Sequence, residues 1–453
     1  MRTEGLDSVD FPRLISDSNR LRGQQSDSLD SFSLRINVLG AIKLVEKCLD
    51  TVEVASMFES ELPKSADIIV VGSGVMGASV AFQLTRNGAG KVLLIDARRP
   101  VKGVTRQTFG QVRTHYSTIA LTKVAKRSVE ILKNWDDEVG FGASGYTRLG
   151  YFIVAQGEMV KPCKRNVEIG RQAGVDTRYI DIDELHTLEP LINLDGIDGA
   201  AYEPDGGWLN GTMMTLSWMI GAQQMGAQVV SNLAVDHVLT GNGKVTGVAT
   251  RRGNIESPIV VNCAGAWGRD LAVNLGIETP ITFKRLDLAW MRQTPDGPTL
   301  KTAVTDVNAN LVLRPDMGGL FLAVVYPDKQ DEIEDPDVVP TRPDVDEHLS
   351  RLRPVLRHRV PALADAEYVG NLAGAYDVTP DFNPIIGRIP SVPGYYSGVG
   401  WSGHGIKLAP AIGEAICADI LGHTHDFDLH AFRPERFAEG DLNPLAYGQS
   451  ARA

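Results

Sequence analysis

Apolar residues come in short, unbroken blocks near the start of "ADIIVVGSGVMGASVAFQLTRNG". Ile68 to Val71 has no polar position, as expected of a strand buried on both faces. The spacing then turns helical through Val75, Ala78, Val80, Phe82 and Leu84, and Asn87-Gly88 supplies a stop. A second solid block, "KVLLIDA", ends on Asp96. Strand, helix and strand in that order need a crossover, and so predict a parallel sheet.

Further along, "TIALTKVAKRSVEILKNW" and "TMMTLSWMIGAQQMGAQVV" predict helices, the latter running into a strand, and "DIDELHTLEPLI" a short capped helix. "GYFIVA" and "PIVVNCAGAWG" predict buried strands, the second opening into a glycine turn. "AVDHVLTGNGKVTGVATRRGNI" predicts a hairpin on Asn242-Gly243. From about Ile281 to Tyr326 the pattern alternates, as in "FLAVVY", which predicts an antiparallel sheet. "YPDKQDEIEDPDVVPTRPDVDEH" is acidic and proline-rich and reads as a solvated loop.

The expected fold is therefore α/β, with a Rossmann-like, doubly wound domain and a second α+β domain on an antiparallel sheet. The first is assigned 65–145, 200–272 and 366–425, the second 146–199 and 273–365, and 426–453 forms a C-terminal tail. Residues 1–64 form an extension. "SDSNRLRGQQSDSLDSFSLR" is polar enough to stay disordered, and "INVLGAIKLVEKCLDTVEVASMF" suits one amphipathic helix.

Charge narrows the function. The 453 residues carry a formal net charge of -11, which argues against a nucleic-acid or anionic-membrane surface. No apolar run approaches the roughly 20 residues of a membrane span. Four scattered cysteines without a CxxC pair suggest neither a disulfide framework nor a metal site, and fit a reducing, cytoplasmic setting. A mitochondrial presequence stays the weaker alternative, poorly supported by Glu4 and Asp7. His423, His425 and His430 read as a solvated stretch rather than metal ligands.

Gly72, Gly74 and Gly77 give GxGxxG between strand and helix, with Val75 and Met76 inside the turn. Such a turn lets a diphosphate approach the backbone at the positive end of a helix. Asp96 closes the next strand, followed by Ala97, where a carboxylate takes a ribose hydroxyl. This predicts a dinucleotide, NAD or FAD. The irregular "GVTRQTFGQVRTHYS" that follows suits a flavin ring better than further regular βα units. A second glycine turn, "SGVGWSGHGIKLAP", carries Gly400, Gly403 and Gly405 into another apolar helix some 300 residues later.

These motifs, with "YEPDGGWLNGTMM", "VVNCAGAWG" and "YDVTPDFNPIIG", resemble the FAD-dependent oxidoreductases of the D-amino-acid oxidase superfamily. The resemblance is in particular to the sarcosine oxidase and N-methyl amino acid oxidase branch, over about Ala66 to Phe437. The resemblance implies FAD stretched across the sheet, its diphosphate at the first turn and its isoalloxazine at the second. The helix after Gly405 and the charge of Lys407 would then face flavin N1 and C2=O. It also implies adenine against the backbone at Val235, and a turn from Cys263 through Ala264 and Gly265 beside the nucleotide.

By the same resemblance Arg113 and Lys407 would hold a substrate carboxylate, with Tyr376 beside the substrate. His404 and Trp401 are read equally as packing or as substrate contacts. The implied reaction is hydride transfer from the carbon next to an amine, giving an imine. Substrates would be sarcosine-like, N-methyl, D- or cyclic amino acids. Two positions depart from the family. Gly374 stands where a cysteine tethers FAD, so non-covalent FAD is expected. Phe321 aligns with an oxygen-activating lysine, so a dehydrogenase or slow oxidase is expected, with oxygen or another redox carrier as acceptor. Two alternatives remain: the catalytic subunit of a hetero-oligomeric amino acid or opine oxidase, or a non-catalytic FAD-bearing assembly factor.

Overall fold

The computed structural model describes residues 61–453, apart from 295–296, 328–331, 338–344, 445–446 and 448–453. The helix expected within the extension lies outside the described residues.

Ile68–Val71 sits inside a six-stranded sheet with spatial order 385–388, 395–399, 259–262, 68–71, 92–95, 228–230. All pairs are parallel except 385–388 with 395–399. The solid apolar blocks have a physical reason here. Ile68 and Val70 point into a core shared with the helices Val75–Arg86, Ile119–Lys133, Gly211–Gln224 and Gly405–Leu421. Ile69 and Val71 point the other way, onto Val248 and Ile255. Those two belong to a three-stranded antiparallel sheet of His237–Gly241, Lys244–Thr250 and Gly253–Glu256. The far face of the Rossmann-like sheet is thus covered largely by strands. Asn242 (φ 51°) and Gly243 (φ 75°) both sit left-handed at the tip of its hairpin, as a two-residue turn of this hand requires.

The second sheet has nine strands and is mainly antiparallel. One face packs Phe152, Leu313 and Phe321 against Leu352 and Leu356 of the helix Val345–Arg359. The other turns Leu288, Leu322 and Val324 toward Phe109. Two boundaries move. Gly199–Glu203 pairs with Tyr151–Ala155, and Glu367–Val378 pairs along Thr282–Arg292, so both belong to this sheet rather than to the nucleotide domain. "GAAYE" and "EYVGNLAGAYDV" lack clean alternation because both faces of the first are buried, and the second is half-buried over Tyr368 to Ala373 and then buried on both faces from Gly374 to Val378.

The acidic loop is not wholly solvated. Glu332–Ile333 pairs with Phe283 and Lys284, and Asp337 forms an ion pair with Arg98. The tail also docks. Arg436 is completely buried and Tyr447 is buried, whereas His423 and His430 are exposed.

Candidate active site

A cavity of about 510 Å³ opens at the carboxyl ends of the parallel strands, where ligands of α/β sheets bind. Strand order spaces its contributors. Val235 follows the 228–230 strand, Asp96 and Ala97 the 92–95 strand, Gly72 the 68–71 strand, Ala264 and Gly265 the 259–262 strand, and Trp401 and Gly403 the 395–399 strand. Asp96 and the second glycine turn are separated by three strand spacings, roughly 14 Å at about 4.8 Å each. The two distant glycine turns therefore open on one elongated space.

The first turn is built for close approach. Gly72 has φ +102°, and a Cβ there would lie 2.5 Å from the Cys263 carbonyl oxygen. Gly77 does not line the cavity; a Cβ on it would fall 1.7 Å from Gly72 O, so it serves helix-on-turn packing. Gly74, Val75 and Met76 do line it. Asp96 Oδ2 accepts from Ser73 N (2.6 Å) and Ser73 Oγ (2.9 Å), and Oδ1 from Arg98 N (2.8 Å). Its remaining lone pairs suit ribose hydroxyls. Thr105, which drew no notice in the sequence, accepts from Val75 N at 3.0 Å and bends the following segment over the helix start. Arg98 and Lys102 add positive charge to the lining. A diphosphate-bearing dinucleotide fits this donor set.

The other end is cationic and enclosed. Lys407 lines the cavity at 6% exposure, and its Nζ donates to Gly403 O at 3.3 Å. Among the described residues no carboxylate forms an ion pair with it. Burial, then the nearby Arg113 charge, hold its pKa well below the ordinary lysine value. Burial and the Arg113 charge thus both oppose the charged form of Lys407 in the chain alone. Arg113 is buried at 3% exposure, donates to His115 O, and stacks 4.6 Å over the Tyr116 ring. Tyr376 lines the cavity.

His404 does not line it. The ring is buried edge-on to Tyr116 at 5.3 Å, with Nδ1 3.4 Å from the Tyr116 hydroxyl, and burial, Lys407 and Arg113 keep it neutral. Gly400 also lies outside; a Cβ there would meet Thr379 Cγ2 at 2.6 Å. Gly405 lines the cavity beside Trp401.

Sequence reasoning missed what holds these groups. Asp377 Oδ2 accepts from Gly400 N (2.8 Å) and Trp401 N (3.1 Å) and so fixes the second turn. Three buried groups pin the segment that bears Arg113. Arg314 Nε donates to Phe109 O at 2.6 Å, and Glu203 accepts from Thr114 N (2.8 Å) and Thr114 Oγ1 (2.6 Å). The Tyr447 hydroxyl lies 2.8 Å from His115 Nε2. Each lies over 80 residues from its partner, except through the fold, so no local motif announces it.

Gly374 lines the cavity opposite Leu286 in register. Phe321, however, packs on the sheet face turned away from the cavity, against the Val345–Arg359 helix. The apolar wall is Leu286, backed by Leu288, Leu322 and Val324. The four cations lining the whole cavity are Arg98, Lys102, Arg113 and Lys407. Among the described residues no cluster of three His, Cys, Asp or Glu could hold a metal, and no helix is long and apolar enough to cross a membrane.

Comparison with known proteins agrees with this geometry. The chain is 28% identical over 394 residues to 4-methylaminobutanoate oxidase (formaldehyde-forming) of Paenarthrobacter nicotinovorans, covering 85% of this chain and 48% of that protein. It is 27% identical over 391 residues to mitochondrial sarcosine dehydrogenase of Homo sapiens, covering 83% and 42%. The chain thus spans about half the length of these curated relatives. The crystal structure of L-proline dehydrogenase from P. horikoshii superposes with a TM-score of 0.77 at 29% identity, covering 84% of this chain and all of that one. Residues 67–418 match the family described as FAD dependent oxidoreductase, and the chain belongs to that family, with FAD as its cofactor.

Proposed function

We propose that the chain oxidises the C–N bond of a secondary amine or amino acid that carries a carboxylate. The observation that carries this reading is the pairing of Arg113 and Lys407 in one buried wall of the FAD cavity. A carboxylate in a water-poor site needs such partners, and a guanidinium can hold it through two parallel hydrogen bonds. FAD, when bound, would supply the acceptor for the two electrons and hydrogen removed from the carbon next to the amine. Arg113 and Lys407 orient the substrate, and Tyr376, Trp401 and Leu286 keep water from the reacting carbon. The relatives named as acting on sarcosine, 4-methylaminobutanoate and L-proline support a small amine with a carboxylate.

Gly374 offers no sulfur, so a thioether at that position cannot form, and FAD is expected to dissociate. The apolar Leu286 wall supports a dehydrogenase or slow oxidase, because superoxide formation lacks a stabilising cation there. The decisive experiment is anaerobic titration of the yellow holoprotein with N-methyl, cyclic and D-amino acids. Bleaching of the flavin by a carboxylated amine is expected; a panel that leaves it oxidised throughout overturns the reading. Acid precipitation should leave the flavin in the supernatant. Stopped-flow mixing of reduced protein with air as fast as a good oxidase would end the dehydrogenase assignment.

A further inference from the structure

Lys407 is a buried lysine that forms no ion pair with an acid among the described residues. It is the third residue of the helix Gly405–Leu421, where the positive end of the helix dipole opposes a charged ammonium. Its neighbours add to that opposition. Arg113 lies across the cavity wall, and the rings of His404 and Tyr116 lie behind, both un-ionised by burial. On the strand Glu367–Val378, Tyr376 lines the same space, and the Asp377 carboxylate is turned to the N–H groups of Gly400 and Trp401. Glu203 is occupied by Thr114 on the far side of the Arg113 segment.

We propose that Lys407 is the base that takes the ammonium proton of the incoming substrate. This rests on the reading above, that the substrate is an amine bearing a carboxylate. Such a molecule arrives from water as a zwitterion, and its ammonium cannot release hydride from the adjacent carbon. In the transfer the substrate N–H bond breaks, a new N–H bond forms on Nζ, and the substrate becomes a neutral amine. No charge leaves the cavity. The ammonium so created faces the substrate carboxylate, which now lacks its own internal counter-charge. The substrate then loses two electrons and one hydrogen as hydride to FAD and becomes an iminium. Water converts this to a carbonyl compound and a protonated amine. The proton on Lys407 returns to solvent when products leave and burial and Arg113 again oppose the charged form. Deprotonation and carboxylate recognition thereby become one event, at an end of the cavity where the lining acid Asp377 is engaged by the N–H groups of Gly400 and Trp401.

The test counts protons, using the holoprotein and acetate, a carboxylate that cannot be oxidised. Acetate binding is followed by the flavin spectrum in weakly buffered solution with an indicator dye. Uptake of about one proton per acetate bound near pH 8 is expected, because the anion recharges Lys407. Lys407→Gln should take up none. Lys407→Arg should bind acetate without uptake, since guanidinium is already charged. Flavin reduction by an amine in that variant should rise about tenfold per pH unit, as solvent must now remove the proton. Wild-type binding of acetate with no proton uptake between about pH 7 and 9 overturns the proposal. So does a series of monocarboxylates that changes neither spectrum nor proton count. Proton uptake in a protein that no amine can bleach overturns the amine reading instead, while leaving the proton site on Lys407 intact.

Discussion

Asp381 and Arg436 meet as a two-pronged ion pair, Nε to Oδ2 at 2.8 Å and Nη2 to Oδ1 at 2.9 Å, with both side chains sealed from water. Arg436 comes from the tail and also donates to Phe432 O and Asn383 O, each at 2.9 Å. Asp381 lies beside Thr379, whose N–H reaches Ser402 Oγ in the second glycine turn at 3.1 Å. The tail is thereby stapled to the frame of the flavin site. Removing one member of a sealed pair strands the other in low dielectric. Arg436→Leu should cost about 3–5 kcal/mol in urea unfolding of the holoprotein. A loss within experimental error of zero would mean that the tail is not docked in solution.

That pair also fixes a sign for acid sensitivity. Burial would raise the Asp381 pKa, but hydrogen bonds and charge from Arg436 outweigh it and hold it below the ordinary value. An acid depressed on folding adds stability that is present above its unfolded pKa and lost as pH falls through the folded one.

Asp377 titrates with the opposite sign. Burial pushes its carboxyl up to about 6, against the N–H groups of Trp401 and Gly400, which favour the anion. The folded chain then holds this proton more tightly than the unfolded chain. Its contribution is complete below the ordinary value of 3.8 and is lost as pH rises through about 6. Asp377→Asn keeps an oxygen for both N–H groups and removes the titration. The variant should gain about 3 kcal/mol on wild type between about pH 4 and 7, read from urea midpoints at each pH. Parallel curves for the two proteins would show that Asp377 is an ordinary carboxylate.

The parallel sheet was legible because Ile68–Val71 and Val92–Ile95 are apolar on both faces, and the dinucleotide site because Gly72 and Asp96 obey a local spacing. Arg113 and Lys407 entered through a resemblance rather than through any pattern. What stayed hidden is the support. Arg314 to Phe109, Glu203 to Thr114 and Tyr447 to His115 are tertiary contacts of single polar residues, which leave no periodicity. Phe321 shows the converse weakness. In a strand buried on both faces, a shift of one residue reverses the face, and hydrophobicity gives no warning.

Gly72→Ala tests the nucleotide end. The added methyl would have to sit 2.5 Å from Cys263 O in a left-handed backbone, between two central strands that cannot part. Apoprotein stability should fall by about 1–3 kcal/mol from strain and overpacking. Affinity for FAD should fall with it, as the backbone N–H groups withdraw from the diphosphate. Fluorescence titration of apoprotein with FAD checks this, and unchanged affinity would place the diphosphate elsewhere.

Arg113→Met tests the substrate end, and its value lies in what must not change. The Arg113 side chain makes its internal hydrogen bond to His115 O, while the segment around it is pinned independently by Arg314, Glu203 and Tyr447. A methionine of similar length should leave those anchors, and FAD binding, in place. Carboxylated ligands should bind about 2–5 kcal/mol more weakly, the scale for truncating one partner of a buried charge pair. Amines without a carboxylate should lose nothing. An equal loss for both kinds of ligand would show that Arg113 shapes the cavity rather than reads the anion. No loss for either would move the carboxylate to the Lys407 side alone.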